Sequence, residues 1–365
     1  MRIAQVAPLY ESVPPKLYGG TERVVSWLTE ELVRLGHDVT LFASGDSVTR
    51  AKLVPICPEA LRLNRNCIDQ LAHHIVMLEH VFRDPDAFDI IHFHIDYLHF
   101  PISRREQVLG ITTLHGRLDI PDLVPLYCTY PEMPVVSISN DQRKPLPWLN
   151  WQGTVLHGLP EDKFTFNPGP GKYLAFLGRI SPEKGADRAI KIAKRAGIPL
   201  KIAAKIDRVD VEHFENDVKP LLGHELIEFI GEIGQKEKNE FLGNASALLF
   251  PVQWPEPFGL VMIEAMACGT PIIAYPAGSV GEVMKEGVTG FVVPDEDAAV
   301  AAIKRIAEID RRKCRENFEQ CFTSARMTQD YLRIYERMVQ GRTAAITIPD
   351  GDPSWKRLTS PISTT

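Results

Sequence analysis

The stretch Pro255–Ala274, PEPFGLVMIEAMACGTPIIA, poses the central problem of this chain. Glu256 stands just ahead of Phe258 and Gly259. Glu264 follows eight positions later, inside a run made otherwise of Leu260, Val261, Met262, Ile263, Ala265 and Met266. An unpaired buried carboxylate is costly, through lost hydration or a large pKa shift, so Glu264 needs a partner. Two kinds fit. The vicinal hydroxyls of a ribose or a sugar are good donors to a carboxylate. A buried Arg or Lys from elsewhere in the chain would serve as well. The run itself reads as a helix over Gly259–Ala267, stopped by Gly269, with β-rich runs at Ala247–Phe250 before it and Pro271–Ala274 after it.

Moving outward, this strand–loop–helix–strand rhythm fills the chain, which is the pattern of parallel α/β domains. The first unit is a strand at Ile3–Ala7, a long loop over Leu9–Gly20 and a helix over Thr21–Leu35. That helix carries Val24, Val25, Leu28, Leu32 and Leu35 at helical spacing, and the next strand is Asp38–Ala43. Further strands are expected at Asp89–Phe93, Ile111–Leu114, Val135–Ile138 and Thr154–Leu156. After the turn-rich Asn167–Gly171 (NPGPG) a second alternation begins. Its strands are expected at Tyr173–Leu177, Leu200–Ala204 and Ile227–Ile230, with helices near Ala186–Arg195, Val211–Leu222 and Lys236–Leu242. The reading is two domains, 1–166 and 167–325, a last helix over 326–341, and a tail over 342–365 whose composition suits disorder.

At 365 residues the chain is comfortable for two domains. A 44% hydrophobic, 24% charged composition is that of a globular protein. Apolar runs long enough for a membrane span are absent from the sequence, and the N-terminus reads as a strand rather than a secretory leader. The six cysteines form no C-x-x-C pair, which points to reduced thiols and a cytoplasmic setting. The net charge of -6 and the lack of a long basic run argue against nucleic acid. They leave room for peripheral contact with the inner face of a membrane through a local basic patch.

Ligands of open parallel sheets bind beyond the carboxyl ends of the strands, so the residues there carry the functional reading. After Tyr173–Leu177 comes GRISPEKG. Arg179 offers a fork for phosphate oxygens and Lys184 a mobile point charge, beside a helix start; alternatively both are solvated surface cations. After Ala247–Phe250 comes PVQWPEPFGL, which puts Glu256 at the same edge, and Gly259 lets backbone approach a ligand closely. Gly19 and Gly20 open the first helix, in a weak anion-binding pattern that is not a dinucleotide fingerprint. His115 follows Ile111–Leu114 and suits either a substrate hydroxyl or a structural role. Lys205 and Ile233 follow two further strands of the second half. His92 and His94 have H-x-H spacing, but no third ligand is convincingly placed, so a metal is not expected.

Taken in order, Gly19-Gly20, GRISPEKG, the E-x7-E pair Glu256 and Glu264, and GEVMKEGVTGFVV (Gly281–Val293) resemble the retaining glycosyltransferases of family four, over the chain to about residue 340. The resemblance implies the GT-B fold, with two Rossmann-like α/β domains facing across a cleft. The N-terminal domain would bind the acceptor and the C-terminal one a nucleotide-sugar donor. It implies that Arg179 and Lys184 hold the diphosphate and Glu264 the ribose. Glu256 would contact donor-sugar hydroxyls, helped by the backbone of Phe258, Gly259 and Leu260. Gly20 would lie by the phosphates, His115 would sit nearest the transferred sugar, and the last helix would cross back to the first domain. It further implies hexosyl transfer with retained anomeric configuration, without metal or cofactor. The acceptor is left open among metabolites, lipid-linked sugars and polysaccharides. One departure is AAKID (Ala203–Asp207), where many relatives have a glycine-rich turn; Lys205 there either reaches a phosphate or fills space. Other readings are an epimerase or phosphorylase on the same fold, and a non-catalytic nucleotide-sugar-binding protein.

Overall fold

The computed structural model describes residues 1–62 and 64–346. Two parallel sheets are built on separate stretches of the chain. The first contains β1 (Arg2–Val6), β2 (Asp38–Ala43), β3 (Lys52–Pro55), β4 (Ile90–Phe93), β5 (Gly110–Thr113), β6 (Val135–Ser137) and β7 (Trp151–Thr154), in the order β3-β2-β1-β4-β5-β6-β7. The second contains β8 (Tyr173–Arg179), β9 (Leu200–Lys205), β10 (Ile227–Gly231), β11 (Ala245–Phe250), β12 (Ile272–Ala274) and β13 (Gly290–Val292), in the order β10-β9-β8-β11-β12-β13. Each is a doubly wound sheet whose strand order reverses once, between β1 and β4 and between β8 and β11. A crevice opens at such a reversal, beyond the carboxyl ends of the strands.

The central strands are near-continuous apolar runs because helices cover both faces. Ile3, Ala4, Gln5 and Val6 of β1 are all buried, as are Ala247, Leu248, Leu249 and Phe250 of β11. Gln5 is the polar exception in β1, and it matters below. Between the sheets, the segment at Asn167 is tied to the second one. Its backbone N–H donates to Cys268 O at 3.0 Å, and its carbonyl accepts from the buried Arg311 at 2.8 Å. The final described helix, Ser324–Ile346, lies on the first sheet. Tyr335 reaches His92 of β4, Arg326 donates to His157 O at 2.9 Å, and Arg337 donates to Gln152 O at 2.6 Å. The helix thus runs past the expected end at 341, and of the expected tail 342–365 the stretch 347–365 lies outside the described residues.

Several elements differ from the sequence expectation for identifiable reasons. The last strand of the first sheet is Trp151–Thr154 rather than Thr154–Leu156: Trp151, Gly153 and Thr154 pair with Val135, Val136 and Ser137, and a bulge at Gln152 breaks the alternation that marks a strand in sequence. The edge strand β3 was not anticipated; it pairs only with β2 and its side chains are half-exposed, so it carries little apolar signal. The helix Gln70–Phe82 was also unexpected. Leu71, Ile75 and Val76 are exposed on it, so its apolar residues occupy both faces and blur the helical period. The expected helix Val211–Leu222 is instead a broken series of 3-10, α and π turns, interrupted where Pro220 lacks a donor.

Candidate active site

The carboxyl ends of the two sheets face each other across a cavity of about 450 Å³. That volume falls within the roughly 300–1,000 Å³ typical of small-molecule sites. The first-sheet wall is the loop after β1 with Gly19, Gly20 and Glu22, together with His115 after β5 and His157. The second-sheet wall takes Gly178 from β8 and Lys184 from the loop after it, Lys205 from β9, Ile233 after β10, and Glu256, Phe258, Gly259 and Leu260 after β11; Glu264 and Lys238 complete it. The walls touch around the rim. Tyr18 N–H donates to Glu232 at 2.9 Å, Arg23 donates to Gln235 at 2.9 Å, and Glu282 accepts from the backbone N–H groups of Asn140 at 2.8 Å and Asp141 at 2.7 Å.

Glu256 is held by its own loop. Its Oε2 accepts from Lys184 Nζ and from Trp254 Nε1, the latter at 2.7 Å, and Lys184 lies 5.1 Å over the Trp254 ring. The loop after β12 supports this loop from behind. Gly278 has φ of 57° and presses against the Glu256 backbone, where a Cβ would come within 2.3 Å of its N and O atoms. Ser279 donates through its N–H to Glu256 O at 3.0 Å and through its hydroxyl to Phe258 O at 2.8 Å. Gly259, at φ of 77°, then turns the chain into the helix Leu260–Ala267; any side chain there would strike Phe250 and Met262 at 2.9 Å. Leu260 and Val261 open that helix at its positive end beside the cavity, while the next N–H, of Met262, donates back to Gly259 O at 3.0 Å.

Glu264 is buried, at 2% exposure, and its partner is a cation of this chain. Lys238 Nζ, from the helix Gln235–Gly243, donates to both carboxylate oxygens at 2.8 and 3.1 Å. Both residues line the cavity, so a ligand can reach them. Burial lowers the Lys238 pKa, and Glu264 opposes that shift. Arg179 and Lys184, expected to act as one cationic grip, have different surroundings in the structure. Lys184 lines the cavity, whereas Arg179 is not among its lining residues and stands in an acidic cluster, bonded to Glu183 at 2.6 Å and ion-paired with Asp210 at 3.2 Å and Asp207 at 3.8 Å. Lys205 pairs with Asp207 at 3.0 Å and covers the Tyr18 ring at 4.4 Å.

On the opposite wall His115 is half-buried, with its Nε2 2.9 Å from His94 Nδ1 and its ring stacked on His157 at 5.4 Å. Burial pushes the His115 pKa down to about 3, which keeps the imidazole neutral. His92 and His94 point to one face of the first sheet, into a hydrogen-bonded chain of polar groups. Sequence reasoning missed Lys238, Trp254, His157 and Glu22. Trp254 adjoins Glu256 and was legible as a neighbour. Lys238 is one of two lysines in QKEKNEFLG, and nothing local distinguishes it from Lys236.

Two family models cover most of the chain: glycosyl transferases group 1 matches residues 160–320, and glycosyltransferase family 4 matches residues 18–152. The chain belongs to the group 1 glycosyltransferases. An uncharacterized glycosyltransferase of Methanocaldococcus jannaschii is 26% identical over 362 residues, covering 82% of this chain and 87% of that protein. AviGT4, a glycosyltransferase involved in avilamycin A biosynthesis, superposes with a TM-score of 0.72 at 22% identity, over 93% of this chain and 98% of its own. HepE of Anabaena, solved in complex with UDP and glucose, superposes with a TM-score of 0.70 at 16% identity, over 92% and 100%. These likenesses establish the GT-B architecture of this glycosyltransferase, with two Rossmann-like domains facing across the cavity. No helix among the described residues is long and apolar enough to cross a membrane.

Proposed function

We propose that this glycosyltransferase moves a hexosyl group from a nucleoside-diphosphate sugar to an acceptor hydroxyl, with retention at the anomeric carbon and without a metal. The observation that carries the reading is the second-sheet wall: Lys184, Glu256, Glu264 and a helix N-terminus converge on one cavity. The UDP and glucose bound by HepE, on the same architecture, support a donor of this class. In the reading, Glu264 accepts hydrogen bonds from the ribose hydroxyls, exchanging part of its contact with Lys238. Lys184 turns from Glu256 to the diphosphate, and Glu256, still held by Trp254, takes the hydroxyls of the sugar. The N–H groups of Phe258, Gly259 and Leu260 add donors at the same point. Lys205 and Ile233 flank the nucleotide, and Gly19 and Gly20 face it from the first sheet, where the acceptor enters near His115.

Breaking the glycosidic bond leaves positive charge on the sugar ring and negative charge on the departing diphosphate. Lys184 and the helix N-terminus stabilise the second as it grows, which is what separates catalysis from binding. Arg179, neutralised by its acidic neighbours, contributes less. The test is a thermal-shift panel of nucleoside diphosphates and their sugars, followed by NMR of the product's anomeric signal. A ligand at about 100 times its dissociation constant adds roughly 2.7 kcal/mol of stability. No shift with any nucleoside diphosphate would overturn the donor assignment, and an inverted product would overturn retention. Sugar 1-phosphate formed from donor and phosphate would identify a phosphorylase, and a stereoisomeric nucleotide sugar an epimerase.

A further inference from the structure

Beneath His115 runs a chain of buried polar groups that ends on the last helix. His115 Nε2 meets His94 Nδ1 at 2.9 Å, and His94 Nε2 meets Gln5 Oε1 at 2.8 Å. Gln5 Nε2 donates to Tyr335 Oη at 3.3 Å, and Tyr335 Oη lies 2.6 Å from His92 Nδ1. His92 Nε2 lies 2.7 Å from Thr113 Oγ1, which lies 2.9 Å from Tyr331 Oη. Gln5, His92, His94, Thr113, Tyr331 and Tyr335 are all at most 2% exposed, so water cannot stand in for a missing partner.

The hydrogens of such a chain must follow one direction. An amide oxygen only accepts, so His94 Nε2 carries a hydrogen. Burial disfavours a charged His94, so its Nδ1 is bare and accepts from His115 Nε2–H. His115 is held neutral in the same way, which leaves its Nδ1 with a lone pair. That atom has no hydrogen-bond partner among the described residues, and His115 lines the cavity. In the other direction Tyr335 accepts from Gln5 and passes its own hydrogen to His92 Nδ1. His92 Nε2–H then donates to Thr113, and Thr113 to Tyr331. Every internal link in the chain is satisfied with this polarity, which the orientation of the Gln5 amide sets. The groups facing His115 are His94 and His157, and no ion pair among the described residues includes His115.

We infer that Tyr335, Gln5 and His94 are positioning residues that fix His115 as its Nε2–H tautomer, so that His115 meets a sugar hydroxyl as a hydrogen-bond acceptor through Nδ1. The reading rests on the transferase assignment for its substrate, but not for the tautomer. An acceptor at this point orients a hydroxyl, whereas an N–H would donate to it. The last helix, which follows the second domain in sequence, thereby sets the polarity of a group in the first-domain wall.

Long-range 1H–15N NMR of the full chain, labelled at histidine nitrogen and free of ligand, reads the tautomer directly, with His115 assigned by comparison with His115→Gln. The expected result at pH 7 is a protonated Nε2 and a bare Nδ1. A protonated Nδ1, or a charged ring, overturns the inference whatever the donor proves to be. Tyr335→Phe removes the hydroxyl that accepts from Gln5 and frees that amide to turn. The His115 signals should then move toward the other tautomer, and kcat should fall roughly tenfold with the donor KM changed less than about twofold. Gln5→Leu should move the signals as well, and it serves as the second variant if Tyr335→Phe folds poorly. An unchanged His115 tautomer in the folded variants overturns the positioning role. Loss of nucleoside-diphosphate binding in the wild-type chain would sink the transferase reading while leaving the tautomer intact.

Discussion

The two walls of the cavity hold their polar groups by different means. Beneath His115 the first-sheet wall is neutral, apart from the Glu11–Arg62 pair and Glu22 elsewhere on it: three histidines, a glutamine, a threonine and two tyrosines share hydrogens in a line. The second-sheet wall is ionic, with Lys184 against Glu256, Lys238 against Glu264 and Lys205 against Asp207. The difference sets what each wall can do. An ion pair at the edge of a cavity can trade its partner for a phosphate or a hydroxyl, because each charge keeps value with a new partner. A buried neutral chain cannot trade a link without stranding a donor or acceptor. The second wall is therefore suited to gripping a charged donor, and the first to presenting a fixed geometry.

The largest effect should come from breaking the more deeply buried of these pairs. Lys238→Met leaves Glu264, at 2% exposure, without its hydrogen-bonded cation and with only the more distant charge of Arg23, and should cost about 3–5 kcal/mol in urea unfolding. Adding Glu264→Leu should recover most of that loss, while donor binding stays impaired. A single variant as stable as wild type would show that the pair is not what satisfies Glu264. Next is Lys184→Ala, expected to lower turnover on the order of 100- to 1000-fold with little change in stability. Steady-state rates with an active nucleotide sugar decide this; near-wild-type turnover would remove Lys184 from the diphosphate.

A pH effect of similar size should appear on the first wall. Glu22 is 5% exposed on the first turn of the helix Gly20–Arg34, and burial pushes its pKa up from 4.5 to about 7. The folded state therefore binds this proton more tightly than the unfolded chain. Stability should fall as the pH rises from about 4.5 to about 7 and stay low above that. The shift corresponds to about 3 kcal/mol. Glu22→Gln should remove this slope and stabilise the chain at pH 8, as followed by urea denaturation across pH 5–8. A slope that persists in the variant would assign it to another group. The smallest effect is expected at Arg179, whose side chain is 32% exposed among three carboxylates. Arg179→Ala should cost at most about 1 kcal/mol of stability and roughly tenfold in turnover, well short of Lys184→Ala. Equal losses for the two would mean that Arg179 leaves its acidic cluster when the donor binds.

Much of this was legible in the chain before folding. The run around Glu264 announced both a helix and a buried acid in need of a partner, because apolar periodicity and the cost of an unpaired charge are local facts. The loops after β8 and β11 could be placed at one sheet edge because a parallel sheet sends every strand's carboxyl end the same way. The identity of the partner was beyond local reading. Lys238 and Lys236 occupy the same short helix and differ only in which side of it meets Glu264. Arg179 and Lys184 share one loop, yet the cluster of Glu183, Asp207 and Asp210 claims the first and leaves the second on the cavity wall.

The strand–loop–helix rhythm, most of the strands and the residues that follow them were thus legible in sequence alone, since hydrophobic period, glycine and proline act over a few residues; β3 and the helix Gln70–Phe82 were not. Which charge faces which, and the direction in which the hydrogens of His115, His94, Gln5 and Tyr335 run, were decided only by the tertiary structure. Those partners are separated by up to 330 positions along the chain, as for Gln5 and Tyr335, and meet only when the last helix packs on the first sheet. A hydrogen bond or an ion pair is settled by distances of an ångström, which the chain acquires only on folding.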